Sequence, residues 1–253
     1  MLRSWWLLIA LSVYSFLNAP GAFASDCDIS KSISDDEASV LIGTLQKTQT
    51  GTRIINEFLS IYKNFNTLDL RWDRASFSRV LPRTEKTFAR IKQDSKSNNR
   101  KPASIFSPNM NMLASPQTIA QNRAPLGDKV CIHLTEQLPP IERLADLIHE
   151  LTHVTFLSFE VLHGKVKDVE AFIAARLIGP GGEVHAFQTE CEFKHDYLGE
   201  WDRFCSPYIT NDHFDFEKAV EGFTSGTLST SITGESYPDL LRKQFAGLRV
   251  AEK

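Results

Sequence analysis

This sequence has only a small excess of acidic over basic residues, few cysteines, and no apolar run long enough to span a membrane. Its 28 basic and 31 acidic residues give a net charge of −3, which offers no general electrostatic reason to bind nucleic acid or an anionic membrane. Four cysteines among 253 residues are too few for a disulfide-scaffold miniprotein. The one long apolar run, from Trp5 to Leu17, has 13 residues, fewer than the ~20 that a spanning helix needs.

The overall balance of residues is that of a globular protein with a real core. Hydrophobic residues make up 42% of the chain and charged residues 23%, which excludes disorder for the bulk of the chain and also excludes a fibrous rod. A length of 253 residues suits one domain of ordinary size. We therefore expect a single domain over residues 25–253.

Residues 1–24 have the features of a secretory signal peptide. Arg3 is the only charge before the apolar run, Pro20-Gly21 ends that run, and Ala22-Phe23-Ala24 is an A-x-A cleavage signal. This pattern predicts a protein that is exported to the periplasm or secreted, with no stable membrane insertion after cleavage. The alternative is an uncleaved membrane anchor, which the shortness of the apolar run disfavours.

Export changes how the four cysteines are interpreted. In an oxidising compartment Cys27, Cys131, Cys191 and Cys205 can form two disulfides, and four cysteines allow three pairings. We favour Cys191–Cys205, which closes a short loop, together with Cys27–Cys131, and the alternative is four free buried thiols. None of them stands in a C-x-x-C pair, which argues against a thiolate zinc site or a redox motif.

Hydrophobic periodicity along the rest of the chain predicts an α+β fold that is mostly helical. Helices are predicted over 34–46, 53–64, 84–92, 141–152, 166–177, from 183 onward and over 240–248, and strands over 68–72 and 129–134. Breaks are predicted at 50–52, 93–104 and 223–238, and Gly179-Pro180-Gly181-Gly182 is expected to separate two helices. The pattern after Pro139 is apolar around much of its surface, which indicates a buried helix.

This buried helix carries His149-Glu150-Leu151-Thr152-His153, an H-E-x-x-H motif. Residues i and i+4 lie on the same face of a helix, so both imidazoles can reach one Zn²⁺. Glu150 is adjacent to the first ligand and is placed to act as a general base on a water molecule that the metal activates. Polar groups in so apolar a helix would be costly unless a partner such as a metal satisfied them.

A catalytic zinc site needs a third protein ligand and one open position. A metzincin continuation would require glycine at 156 and histidine at 159, where this chain has phenylalanines. The carboxylate candidates are Glu160, Asp168, Glu170, Glu183 and Glu190. Glu160 follows His153 too closely on what is expected to be the same helix. Glu183 begins a new helix and is followed by the small Ala186, whereas Glu170 lies in a plain amphipathic pattern and remains an alternative.

With these residues the chain resembles the gluzincin metallopeptidases. The resemblance implies a zincin-like domain with a small sheet beside the active-site helix, Zn²⁺ held by His149, His153 and Glu183, and Glu150 as the base. It also implies a protein or peptide substrate lying along the sheet edge. One departure is Phe187, where such enzymes have an acidic partner for a ligand histidine.

The resulting hypothesis is an exported zinc metallopeptidase. Its alternatives are a non-catalytic zincin-like zinc-binding or interaction module, and an exported effector protease or toxin with a narrow target. Weaker candidates for contacts to a developing oxyanion are His185, His195, His213, Tyr197 and Tyr208. Asp146 is expected on a solvated face, with a lesser prospect of contacting groups that surround the ligands.

Overall fold

The computed structural model describes residues 27, 31–74, 76–81, 129–162, 165–228 and 236–251. Within these ranges the chain forms eight α-helices and two small sheets, so the predicted α+β, mostly helical class is confirmed. The predicted signal peptide, the predicted helix at 84–92 and the predicted loop at 93–104 lie outside the described residues.

The helices and strands of the described residues have the following bounds. The helices are α1 Asp35–Leu45, α2 Gln49–Tyr62, α3 Pro140–Phe156, α4 Phe159–Leu162, α5 Val169–Leu177, α6 Glu183–Leu198, α7 Phe216–Thr224 and α8 Tyr237–Ala251. The strands are β1 Lys31–Ser32, β2 Leu68–Asp73, β3 Phe77–Leu81, β4 Lys129–Thr135, β5 Ile209–Thr210 and β6 His213–Phe214.

The larger sheet is mixed, and β4 is one of its two central strands. Its strand order is β1-β2-β4-β3, with β2 parallel to β4 and β3 antiparallel to β4 on the outer edge. Alternate residues of β4 face opposite sides of a strand, and Val130, Ile132 and Leu134 all enter the hydrophobic core that includes α3. The predicted small sheet therefore lies beside the helix that carries the H-E-x-x-H motif.

Helix α3 forms because a proline at its first position is followed by apolar residues at helical spacing. Pro140 has the backbone angle that a helix start requires, and its missing N–H costs no hydrogen bond there. Leu144, Ile148 and Leu151 are buried against the sheet and against α2. The helix ends at Phe156 because Leu157 adopts an extended conformation.

Two hydrophobic clusters share the helix α6. The larger cluster joins α1, α2, the sheet and α3, and it includes Phe193 of α6. The smaller cluster joins α5, α6, α7 and α8, with Phe187 of α6 in contact with several aromatic rings. Because α6 contributes to both clusters, its first residues are held at the junction between them.

Two predicted boundaries near the N-terminus and after α3 are wrong. Helix α2 begins at Gln49, so the predicted break at 50–52 is the first turn of the helix. A glycine is needed there because a β-carbon on Gly51 would lie 2.0 Å from the carbonyl oxygen of Leu45. Glu160, expected on the same helix as His153, lies instead on the separate helix α4.

The predicted loop at 223–238 is also wrong at both ends. Helix α7 continues to Thr224 and α8 already begins at Tyr237. Asn211 and Asp212, both of which have positive φ, form the tight turn between β5 and β6. Strand β3 has no counterpart in the prediction, because only five residues with no clear alternation mark it.

Both predicted disulfides are present, Cys27–Cys131 and Cys191–Cys205. Two disulfides are typical of proteins that fold in an oxidising, extracellular environment. The second bond joins α6 to the loop that follows it, 14 residues further along. No helix in the described part of the chain combines the length and the hydrophobicity needed to cross a membrane.

Replacing Cys191 and Cys205 together by alanine is expected to lower the free energy of unfolding by about 3 kcal/mol. The reason is that the crosslink restricts a loop of this length in the unfolded chain. Urea unfolding of the oxidised wild type and of the double variant measures the difference. Equal unfolding midpoints for the two proteins would contradict the expectation.

Candidate metal centre

Helix α3 presents its two motif histidines to the same side. The imidazole rings of His149 and His153 are one turn apart, with their centroids separated by 4.8 Å and their planes inclined at 78°. His153 is buried and His149 is half-buried. As predicted from the sequence, the four-residue spacing of the two histidines brings both rings to one small region of space.

The third member of the group comes from the start of α6. Glu183 is the first residue of that helix, directly after the Gly-Pro-Gly-Gly break. Its Oε2 atom lies 3.5 Å from Nε2 of His149 and 3.5 Å from Nε2 of His153. The three ligand atoms all lie within 4.8 Å of one another, so this predicted trio is brought together.

The outer nitrogen of each ring has its own partner, which orients the ring. Nδ1 of His153 lies 2.7 Å from the carbonyl oxygen of Gly181, and a carbonyl can only accept, so Nδ1 carries the proton. Nδ1 of His149 lies 3.3 Å from Oε2 of Glu190. The lone pair on Nε2 of His153 is thereby directed toward Glu183, as a metal ligand requires.

The two imidazole Nε2 atoms and the carboxylate oxygen of Glu183 converge in a largely buried space. All three are hydrogen-bond acceptors when the histidines are neutral. Burial by itself opposes a charge on His149, yet the carboxylates of Glu183 and Glu190 raise its pKa well above the usual value. Burial likewise opposes a charge on Glu183, yet the two imidazoles hold the pKa of Glu183 well below its usual value. The centre therefore favours a positive charge at the point that all three atoms face.

A metal ion fits this geometry and this set of donors. Tetrahedral zinc with bonds of roughly 2.0–2.1 Å places pairs of ligand atoms roughly 3.4 Å apart. Both histidine nitrogens stand at 3.5 Å from the carboxylate oxygen of Glu183. The buried His-His-Glu group could thus hold a metal ion, and three protein ligands leave a fourth tetrahedral position for water.

Two more carboxylates of α3 adjoin the centre. Glu150 is only 4% exposed, and among the described residues no hydrogen bond or ion pair to its carboxylate is present. Asp146 is half-buried and not solvated as expected, and it accepts a hydrogen bond from Ser76. Burial raises the pKa of Asp146 to about 7, while that hydrogen bond opposes the rise.

Tyr237 is a neighbour of the centre that the sequence did not reveal. It is buried at the start of α8, close enough to Glu183 for that carboxylate to act on its phenol. Burial, together with the nearby Glu183 and Glu150, raises the pKa of Tyr237 well above its usual value. The phenol therefore keeps its proton, and no pattern in the sequence marks its position, 54 residues after Glu183.

The rejected ligand candidates have other surroundings. Glu160 is exposed on α4, Asp168 caps α5 by accepting the Ala171 N–H, and Glu170 pairs with Arg242 at 3.3 Å. Glu170, the open alternative to Glu183, is thus a surface ion-pair partner. Glu190 contacts His149 from outside the group and is not part of it.

The candidates for oxyanion contacts are scattered. His195 stacks on Trp201, Tyr208 packs against Phe187, and Tyr197 and His213 are exposed. His185 is the nearest to the centre, and its Nδ1 accepts the N–H of Gly181 at 2.9 Å. Burial, with Arg53 nearby, lowers the pKa of His185 to about 4, so that this ring is neutral at ordinary pH.

Comparison with known proteins adds no relative from which a function could be transferred. Searches against protein-family models, curated proteins and solved structures each returned no match. What the centre does must therefore be inferred from its own residues. The two imidazoles, the carboxylate of Glu183 and the adjacent carboxylate of Glu150 are the groups from which that inference starts.

Replacing Gly181 by alanine is expected to lower zinc affinity on the order of 10-fold, as loss of an outer partner of a ligand does. Gly181 has a φ of +73°, and a β-carbon there would lie 2.3 Å from the backbone nitrogen of Leu157. The peptide that orients His153 would have to move. Competition with a chromogenic chelator measures the affinity. Gly199→Ala is the matched control, because Gly199 also has positive φ but an open surrounding.

Replacing Glu183 by glutamine is expected to weaken zinc binding by more than the roughly 10–100-fold cost of losing an outer partner, since a direct ligand is lost. Glu170→Gln should leave zinc affinity unchanged, because that carboxylate pairs with Arg242 at the surface. The same chelator competition compares the two variants. The reverse result would make Glu170 the ligand and would contradict the geometry described above.

Proposed function

We propose that this protein is an exported zinc metallopeptidase that hydrolyses peptide bonds in a protein or peptide substrate. The observation that supports the proposal most directly is the convergence of Nε2 of His149, Nε2 of His153 and Oε2 of Glu183 within 4.8 Å, with Glu150 on the same turn of α3. Two histidines and one glutamate with an open fourth position are the ligand set of catalytic, not structural, zinc sites.

Each residue of the centre has a distinct task in this proposal. His149, His153 and Glu183 would hold the ion, which when bound supplies Lewis acidity toward the scissile carbonyl and acidifies water. Glu150 accepts the proton of the attacking water and delivers it to the leaving amine. Its carboxylate suits this task because it is mostly buried and engaged by no other described side chain. The raised pKa of Tyr237 keeps its phenol protonated beside the Glu183 carboxylate.

The edge of the larger sheet offers a place for an extended substrate. Strand β3 pairs with β4 on one side only, and no other described strand pairs with its outer edge. An extended peptide can add to such an edge through main-chain hydrogen bonds, which bind a backbone without selecting particular side chains. β3 contacts α3, the helix that carries the motif, which favours this edge as the place for the substrate.

Export is part of the proposal. The signal-peptide pattern over residues 1–24 and the two disulfides are both consistent with a periplasmic or secreted protein. A non-catalytic zinc-binding module is the principal rival. It gives no role to the Glu150 carboxylate, which is mostly buried and accepts no hydrogen bond from any described residue.

Replacing Glu150 by glutamine is expected to lower kcat by roughly 10²–10⁴-fold, because general acid–base catalysis is lost, while the zinc content stays at one ion per chain. The test is digestion of a peptide library by the purified mature protein, with and without chelator, alongside elemental analysis. Glu160→Gln, an exposed position on α4, is the control and should retain full activity.

Full activity of the Glu150→Gln variant would show that another group is the base. A wild-type protein that binds zinc tightly but cleaves no peptide of the library would favour the binding module. Cleavage of a single protein target, with none of the library cleaved, would identify a narrow-target effector protease with the same centre.

A further inference from the structure

Lys194 is a buried cation on α6 that the proposed mechanism does not use. It is only 2% exposed, although a lysine side chain is normally solvated. Its Nζ atom lies 2.8 Å from Glu142, 3.0 Å from Glu190 and 3.3 Å from Asp202. An ammonium group removed from water is costly unless it is surrounded by such partners, so this arrangement needs a reason.

Glu190 connects this lysine to the metal centre. Its two carboxylate oxygens are divided between two partners, since Oε1 faces Lys194 and Oε2 faces Nδ1 of His149 at 3.3 Å. Lys194 and Glu190 lie four residues apart on the same face of α6, so the helix itself sets their separation. The ammonium of Lys194 thus determines the orientation of the carboxylate that orients a ligand histidine.

The two ligand histidines differ in this respect. The Nδ1–H of His153 is held by the backbone carbonyl of Gly181, which has no freedom to rotate away. The Nδ1 of His149 depends on a glutamate side chain, which has three rotatable bonds. A flexible acceptor fixes an imidazole only if it is itself fixed, and Lys194 is the group that contacts its other oxygen.

We propose that Lys194 is a positioning residue of the metal centre, which acts through Glu190 to fix the orientation of His149 and thereby to set the metal affinity. The inference rests on the proposed assignment of His149 as a metal ligand. It assigns no contact between Lys194 and substrate or metal. It also distinguishes Lys194 from a simple cross-brace between helices, because a brace would contribute to stability without affecting the affinity for metal.

A double-mutant cycle on the full mature protein tests this coupling. Glu190→Gln and Lys194→Met are each expected to lower zinc affinity by roughly 10–100-fold, the usual cost of losing an outer partner of a ligand. The double variant should be no weaker than the weaker of the two single variants, because Lys194 acts only through Glu190. Chelator competition with Zn²⁺ alone measures all four proteins, and circular dichroism verifies their fold.

Glu142→Gln is the control that separates positioning from bracing. It removes the shortest ion pair of Lys194, which joins α6 to α3, but it leaves the contact between Lys194 and Glu190 intact. Zinc affinity within about threefold of wild type is therefore expected, a change of less than 1 kcal/mol. If Glu142→Gln weakened zinc binding as much as Lys194→Met, Lys194 would be a brace and the inference would be overturned.

Loss of the buried cation can prevent folding, because three carboxylates are left without it. The paired variant Lys194→Met/Glu142→Gln then takes the place of Lys194→Met, with Glu142→Gln as its reference, since it removes one of the carboxylates that are left without the cation. Unchanged zinc affinity in that variant, or affinity losses that add fully in the double variant, would overturn the inference. A wild-type protein without tight zinc binding would instead refute the proposed function, so the two failures are distinguishable.

Discussion

Two imidazole nitrogens and one carboxylate oxygen face a common point that is largely shielded from water, and none of the three has a hydrogen to give when the histidines are neutral. Such a group is unfavourable unless a cation lies between its members. Without such a cation, a proton on His149 supplies the positive charge. This is why the pKa of His149 is raised and that of Glu183 is lowered. A divalent ion meets the same need with better geometry.

The fold supplies this convergence from two directions. The buried face of α3 delivers both histidines, because a four-residue spacing on a helix superposes their side chains. The glutamate arrives from the opposite side, because the glycine-rich break reverses the chain and lets α6 start at Glu183, against the end of α3. Gly181 has a second use within that break, since its positive φ directs a carbonyl toward His153 while its N–H binds His185.

The features that the sequence predicts correctly are those that depend on residues close together in the chain. The apolar periodicity of α3, the ligand spacing of the motif and the new helix at Glu183 each depend on residues within a few turns, and short-range regularities determined them. The sequence predicts a break at Gly51, because a glycine does not by itself show whether it ends a helix or allows the close approach to the Leu45 carbonyl that it makes in the first turn of α2. No sequence pattern marks Tyr237 or Lys194 as a neighbour of the metal centre. Both lie near it only because helices that are distant in sequence pack side by side.

The missing acid at position 187 illustrates how a physical requirement can be met from a different position. A histidine ligand needs an acceptor for its outer nitrogen, and Phe187 instead packs into the smaller hydrophobic cluster. Glu190 lies one helical turn further on and contacts His149. Glu190 lies between His149 of α3 and Lys194 of its own helix, and the ammonium of Lys194 compensates its charge. Lys194 is needed because the acceptor is Glu190 and not a residue at position 187. The spacing of the H-E-x-x-H motif carries no information about that choice.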